Sequence, residues 1–234
     1  MWLKAPNINT THGFSTRKGG ISPTPYNSLN LAGQDDLPEN IHQNRVIALK
    51  ELGITLNQIA HLKQIHGCDV IEASTGTFTG DALVSNEKGI ALAVAAADCY
   101  PLLFHDPVNN VIGAAHAGWR GTVARIAGET IKKMITLGAE TKHIRMAIGP
   151  GISAEKFEVG EEVQQIFLEA KFPSRCIQKK NINLIEANIF AAMEMGILSE
   201  NIWAMKRCTF EEDFFSYRRD QGKTGRLWGL IMLK

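Results

Sequence analysis

Residues 89–97 are small and apolar without a polar break, and the run ends directly on Asp98-Cys99. A run of that length with no alternation predicts a strand buried on both faces. A second such run, residues 111–115, ends at His116. Between them Leu102-Leu103-Phe104 predicts a further short strand, closed by His105-Asp106-Pro107 and Asn109-Asn110.

After Gly121 the period changes from two to about 3.6. Val123, Ile126, Ala127, Ile131, Met134 and Leu137 form one apolar stripe, which predicts an amphipathic helix. Thr122 is its expected N-cap and Gly138 its expected stop. Helices are also predicted over residues 38–52, 161–170 and 184–195, and strands over 144–148, 202–209 and 226–232. Near the N-terminus, residues 13–20 read as a strand running into a glycine-rich turn. Residues 21–34, with Pro23, Pro25 and Gly33, read as an irregular surface loop. No repeat, low-complexity tract or flexible linker interrupts the chain. The pattern predicts an α/β layered fold in a single domain, residues 1–234, with a mixed sheet flanked by helices.

The 234 residues and 44% hydrophobic composition suffice for one large core or two small ones. Lys plus Arg (25) nearly cancels Asp plus Glu (24), which excludes the basic excess of a nucleic-acid binder. No apolar run reaches the length that spans a bilayer, and the first residues lack the apolar core of a signal peptide. A cytoplasmic protein acting on a small molecule is expected, with neither nucleic acid nor membrane as partner. Cys68, Cys99, Cys176 and Cys208 are scattered, so they are expected to be reduced thiols and not a disulfide framework.

The chemistry concentrates in Gln64-Ile65-His66-Gly67, Ala97-Asp98-Cys99 and His116-Ala117-Gly118-Trp119-Arg120-Gly121. His66, Cys99 and His116 are a nitrogen–sulfur set that suits zinc with an open fourth position. The same residues also suit a Cys–His nucleophile pair, with Cys99 attacking and His116 as base. Their wide separations are not those of a zinc finger, so only the fold can assemble such a site. His61 and His105 are weaker candidates for its neighbourhood. Gly118 to Thr122 opens a helix, where unpaired N–H groups and Arg120 could hold an anion; an ordinary glycine turn reads equally well. Phe214-Phe215-Ser216-Tyr217-Arg218-Arg219-Asp220 could stack a base and clamp an oxyanion, or form a core segment with a solvated tail. Asp81 and Asp98 are candidate general bases, or turn residues.

Read together, the motifs resemble a known family. They are Phe14-Ser15-Thr16-Arg17-Lys18-Gly19-Gly20, Ser28-Leu29-Asn30-Leu31, Asn44-Arg45, Gln64-Ile65-His66-Gly67, Asp81-Ala82-Leu83-Val84, Ala97-Asp98-Cys99-Tyr100-Pro101, the His116 to Gly121 motif, Gly149-Pro150 and the Phe214 to Asp220 motif. The chain resembles the multicopper polyphenol oxidoreductase, or laccase-domain, proteins. These are also called peptidoglycan editing factor, and are described as purine nucleoside phosphorylases with adenosine deaminase activity. The resemblance implies His66, Cys99 and His116 as metal ligands, with zinc as cofactor and copper as an alternative. It leaves Cys99, His116 and Asp98 as the catalytic candidates. Arg17, Asn44, Arg45 and Arg120 are candidates for binding nucleoside and phosphate. After Gly149-Pro150 many members carry a cysteine, whereas this chain reads Gly151-Ile152-Ser153.

A multicopper oxidase needs roughly ten histidines, several in His-x-His pairs. This chain has 7 and no such pair. The preferred expectation is therefore a zinc-dependent purine nucleoside enzyme, with weak copper-dependent phenol oxidation as a side reaction. The rival is an amidase editing peptidoglycan precursors through a Cys–His or zinc-hydroxide mechanism. A non-enzymatic metal-binding protein is the third reading.

Overall fold

The computed structural model describes residues 1–234. The strands form two six-stranded mixed sheets. The first is ordered β1 (Trp2–Leu3), β2 (Thr11–Ser15), β14 (Leu227–Met232), β7 (Ala91–Ala96), β3 (Ile59–Lys63), β5 (Gly76–Thr79). The second is ordered β13 (Ile202–Ala204), β10 (Arg145–Ile148), β8 (Tyr100–Asp106), β9 (Val111–Ala117), β6 (Ala82–Ser85), β4 (Val70–Glu72). A small ribbon, β11 (Ile177–Gln178) with β12 (Asn181–Ile182), stands apart. The helices are α1 (Pro38–Leu52), α2 (Trp119–Val123), α3 (Ile126–Thr136), α4 (Glu161–Glu169) and α5 (Leu184–Glu194).

Strand alternation sorts the apolar residues into three layers. Leu92 and Val94 of β7 meet Leu103, Ile112, Ala114, Ala147 and Phe14 between the sheets. Ala91 and Ala93, on the other face of β7, pack with Ala48 and Leu49 of α1. On the far side, Leu102 and Phe104 of β8 join Ile131 and Met134 of α3 and Ala187 and Ala191 of α5. The expected burial on both faces is present. The expected mixed sheet is present twice, because one face of each central strand meets the other sheet and the opposite face meets helices.

The helix expected after Gly121 is two helices. Its apolar stripe is real, but the chain breaks at Ala124-Arg125, where Arg125 has φ 62°. The Arg125 guanidinium reaches away from that break to Glu194 (2.7 Å) and the Ala170 carbonyl (3.0 Å), and lies 3.8 Å from the Phe172 ring centroid. The N-cap is Gly118, not Thr122, which is fully buried and bonded to Asn188. Gly138 does follow the helix end in the left-handed region, φ 96°. The strand expected over 202–209 stops at Ala204, and the chain beyond it leaves the sheet to bridge Cys208 with Gly151.

Candidate functional site

The chain passes between the two sheets at the positions that carry the chemistry. β3 lies in the first sheet and β4 in the second, and His66 sits in the turn between them with φ 58°. β7 lies in the first sheet and β8 in the second, and Ala97-Asp98-Cys99 links them, with Asp98 at φ 85°. Positive φ at non-glycine residues is held only where surrounding contacts enforce it. β9 then carries His116 on its penultimate position, paired with Pro101 of β8. The ligand atoms of His66, Cys99 and His116 lie within 4.8 Å of one another. His116 is buried and Cys99 half-buried, whereas His66 is exposed.

Asp81 holds two of these segments together. It is fully buried, and its carboxylate accepts the backbone N–H groups of Ile65 (3.3 Å), His66 (3.0 Å) and Gly67 (2.7 Å). It also meets Nδ1 of His116 at 3.0 Å. Its own carbonyl accepts the His116 N–H at 2.8 Å. Burial opposes ionisation of Asp81, but His116 and the turn amides outweigh it and hold the carboxyl below its ordinary range. With Nδ1 tied to a carboxylate, Nε2 of His116 is the nitrogen left for a metal or a proton. Metal-ligating histidines are commonly oriented by such a carboxylate.

Gly118 completes the cradle. A Cβ there would stand 3.0 Å from Sγ of Cys99, 3.5 Å from Nδ1 of His66 and 3.8 Å from Cε1 of His116. Gln64 fixes the near end of the turn: its amide exchanges hydrogen bonds of 2.9 and 2.7 Å with the Ala95 backbone, extending the β3–β7 pairing by a side chain.

Burial would raise the Cys99 thiol, but His116 and then His66 pull it down to about 6. Burial would likewise lower His116, but Cys99 and then Asp81 push it up to about 9. Without an ion, each of the two groups favours the charged form of the other. With one, a thiolate and neutral imidazoles are zinc's preferred ligands.

Both carboxylate oxygens of Asp98 are engaged. One oxygen accepts Thr209 Oγ1 at 2.5 Å, the other accepts the Arg218 N–H at 2.6 Å, and its carbonyl accepts the Ile152 N–H. It anchors two loops beside Cys99. Arg120 is exposed on α2 and stacks on Trp119 at 4.3 Å.

The other expected binding residues do not converge. Asn44 is fully buried, and its amide serves Ile21, Ser22 and the Asn30 carbonyl, so it ties a loop to α1 and has no reach to a ligand. Arg17 bonds Asn27 and lines one recess with Arg219, while Arg45 lines another with His61. Phe214 and Phe215 are core residues, and Arg219 is fully engaged with Asp220 and three loop carbonyls. Tyr217 alone of that motif's aromatics is exposed. His61 and His105 lie outside the ligand cluster.

Two histidines and a cysteine on a two-sheet α/β scaffold form a cluster whose donor atoms could hold a metal ion. The family model described as multi-copper polyphenol oxidoreductase laccase matches residues 11–234, and the chain belongs to that family. It is 44% identical to a purine nucleoside phosphorylase of Deinococcus radiodurans, covering 99% of this chain and 92% of the relative. It is 36% identical to the purine nucleoside phosphorylase YfiH of Escherichia coli, covering 94% and 92%. Its fold matches the crystal structure of YlmD from Geobacillus stearothermophilus with a TM-score of 0.93, at 31% identity, covering 100% and 96%.

Proposed function

We propose that residues 1–234 form one catalytic domain, a zinc-dependent purine nucleoside enzyme. It cleaves adenosine, inosine and methylthioadenosine with phosphate, and it deaminates adenosine. The observation that carries this reading is the His66–Cys99–His116 cluster, with His116 oriented by Asp81, in a chain so similar to proteins named purine nucleoside phosphorylase. Zinc held there would supply Lewis acidity and acidify a water, which suits deamination.

The remaining steps fall to the chain's own groups. Arg120 places a positive charge on α2, two residues after Gly118, where any added Cβ would meet Cys99, His66 and His116. It is the cation to hold phosphate while a phosphate oxygen bonds the anomeric carbon and the glycosidic C–N bond breaks. The departing base takes the proton that the hydrogen phosphate gives up as its oxygen bonds the sugar. Tyr217, on the segment that Asp98 anchors, offers an exposed ring for the purine. In deamination, water adds to the purine carbon that bears the amino group, one of its protons passes to that amino group, and ammonia leaves; His116, oriented by Asp81, would hold the metal.

A second reading is favoured by one observation, the donor atoms of Cys99 and the buried His116 within 4.8 Å of each other, close enough to work as a Cys–His pair. It is the Cys–His amidase of peptidoglycan-precursor editing, with Cys99 as nucleophile. Copper at the same ligands would account for weak phenol oxidation.

Metal analysis of protein purified without added metal, paired with product detection from adenosine plus phosphate, separates the two. About one zinc per chain is expected, with adenine and inosine formed and all of this lost in Cys99→Ala. Metal-free protein that turns over no nucleoside, yet alkylates rapidly at Cys99, would overturn the purine reading and favour the amidase.

A further inference from the structure

A recess of about 300 Å³ opens on the outer side of the first sheet, away from the metal ligands. Its lining includes Arg45 of α1, His61 of β3, Trp228 of β14, and Thr75 and Thr77 at the edge of β5, with no acidic residue. Arg45 is held rigidly there. Nε donates to the Leu31 carbonyl at 2.8 Å, and the guanidinium lies 4.9 Å over the Trp228 ring. That is its only side-chain hydrogen bond, so neither Nη group has a partner within the chain; Arg45 also lines an adjoining recess that contains Asp36.

A planar guanidinium fork with both Nη groups free of protein partners is the group that recognises a carboxylate or phosphate bidentately. The neighbours suit the same partner. His61 Nε2 lies 3.2 Å from Thr77 Oγ1, and the hydroxyls add neutral donors. Burial lowers Arg45 with no carboxylate to offset it. Burial, then Arg45, keeps His61 below its ordinary value.

We propose that this recess is a second ligand site, distinct from the metal cluster, that takes the oxyanion group of a small metabolite in the fork of Arg45 over Trp228. The site does not depend on what the metal cluster does. Carboxylate and phosphate share the required chemistry, so both are tested.

The experiment titrates the full-length chain with inorganic phosphate and, separately, with malonate, at ionic strength fixed by sodium chloride. The readout is tryptophan fluorescence. The chain has 4 tryptophans, so Trp228→Phe identifies the part of the signal that belongs to the recess. Saturable quenching by either anion, absent in Trp228→Phe and weakened about tenfold or more in Arg45→Gln, is expected. Phosphate alone, malonate alone, or both responding assigns the source within the shared chemistry. Thr77→Trp fills the exposed rim without altering Arg45 and is expected to abolish the response at unchanged melting temperature. No saturable change with either anion, or a change that survives both Arg45→Gln and Thr77→Trp, overturns the proposal.

Discussion

At the scale of single residues, Asp81 and Gly118 decide whether the ligand set can exist. Asp81 meets three backbone N–H donors and a ring nitrogen with one carboxylate. Asp81→Asn keeps the shape but turns an NH2 toward those donors, leaving at least one unpaired. Metal affinity is expected to fall about 10–100-fold, the usual effect of losing such a partner. A competition titration with a chromophoric chelator reads it, and an unchanged affinity would remove Asp81 from the site. Gly118→Ala places a methyl 3.0 Å from Sγ of Cys99. Cobalt substituted for zinc should then show a distorted or weakened thiolate charge-transfer band, with the fold intact by circular dichroism. That His66, Cys99 and His116 belong together was legible in the sequence, because each stands in a motif flanked by glycine, alanine or aspartate, and the fold does gather them. The burial of Asn44 was not legible, because an Asn-Arg pair carries no sign of which side chain faces inward.

Among elements, the two crossings between sheets matter most, and they were the least visible. The apolar runs that became β7 and β9 are long enough to declare themselves. β4, β5 and β6 span only 3, 4 and 4 residues, too short for a period to register. An apolar run also does not reveal whether a helix or a second sheet will cover it. The broken helix was illegible for another reason. Its stripe continues across the break, and the break depends on Arg125 reaching Ala170, Phe172 and Glu194, which are distant in sequence. Arg125 occupies φ 62°, a conformation that costs a residue with a Cβ about 1–2 kcal/mol relative to glycine. Both Arg125→Ala and Arg125→Gly lose the side-chain contacts, but only glycine relieves that cost. Chemical denaturation should find the glycine variant more stable by about 1 kcal/mol. Equal stabilities would place the turn elsewhere.

For the whole molecule, acidity is the sharpest probe of stability. His105 lies buried in β8, its Nδ1 without a partner. Burial, and then Arg145, hold it down from 6.5 to about 4. Between those values the unfolded chain binds a proton that the folded chain refuses. Stability is therefore full above pH 6.5 and is lost as pH falls toward 4. His105→Leu should flatten much of that slope, leaving the part due to His12 and His61, which burial also lowers. Denaturation midpoints measured from pH 7 to pH 4 check this, and parallel slopes would refute it.

The pairing of β8 with β9, Pro101 opposite His116 and Tyr100 opposite Ala117, carries one further consequence. A strand shifted by one position turns every side chain to the other face. Insertions or deletions at the hairpin turn, residues 107–110, leave that pairing intact. A single residue gained or lost between Val111 and His116 would aim the imidazole away from Cys99. Natural length variation is thus expected to collect at the turn and to be absent from the strand, whatever the side chains along it become.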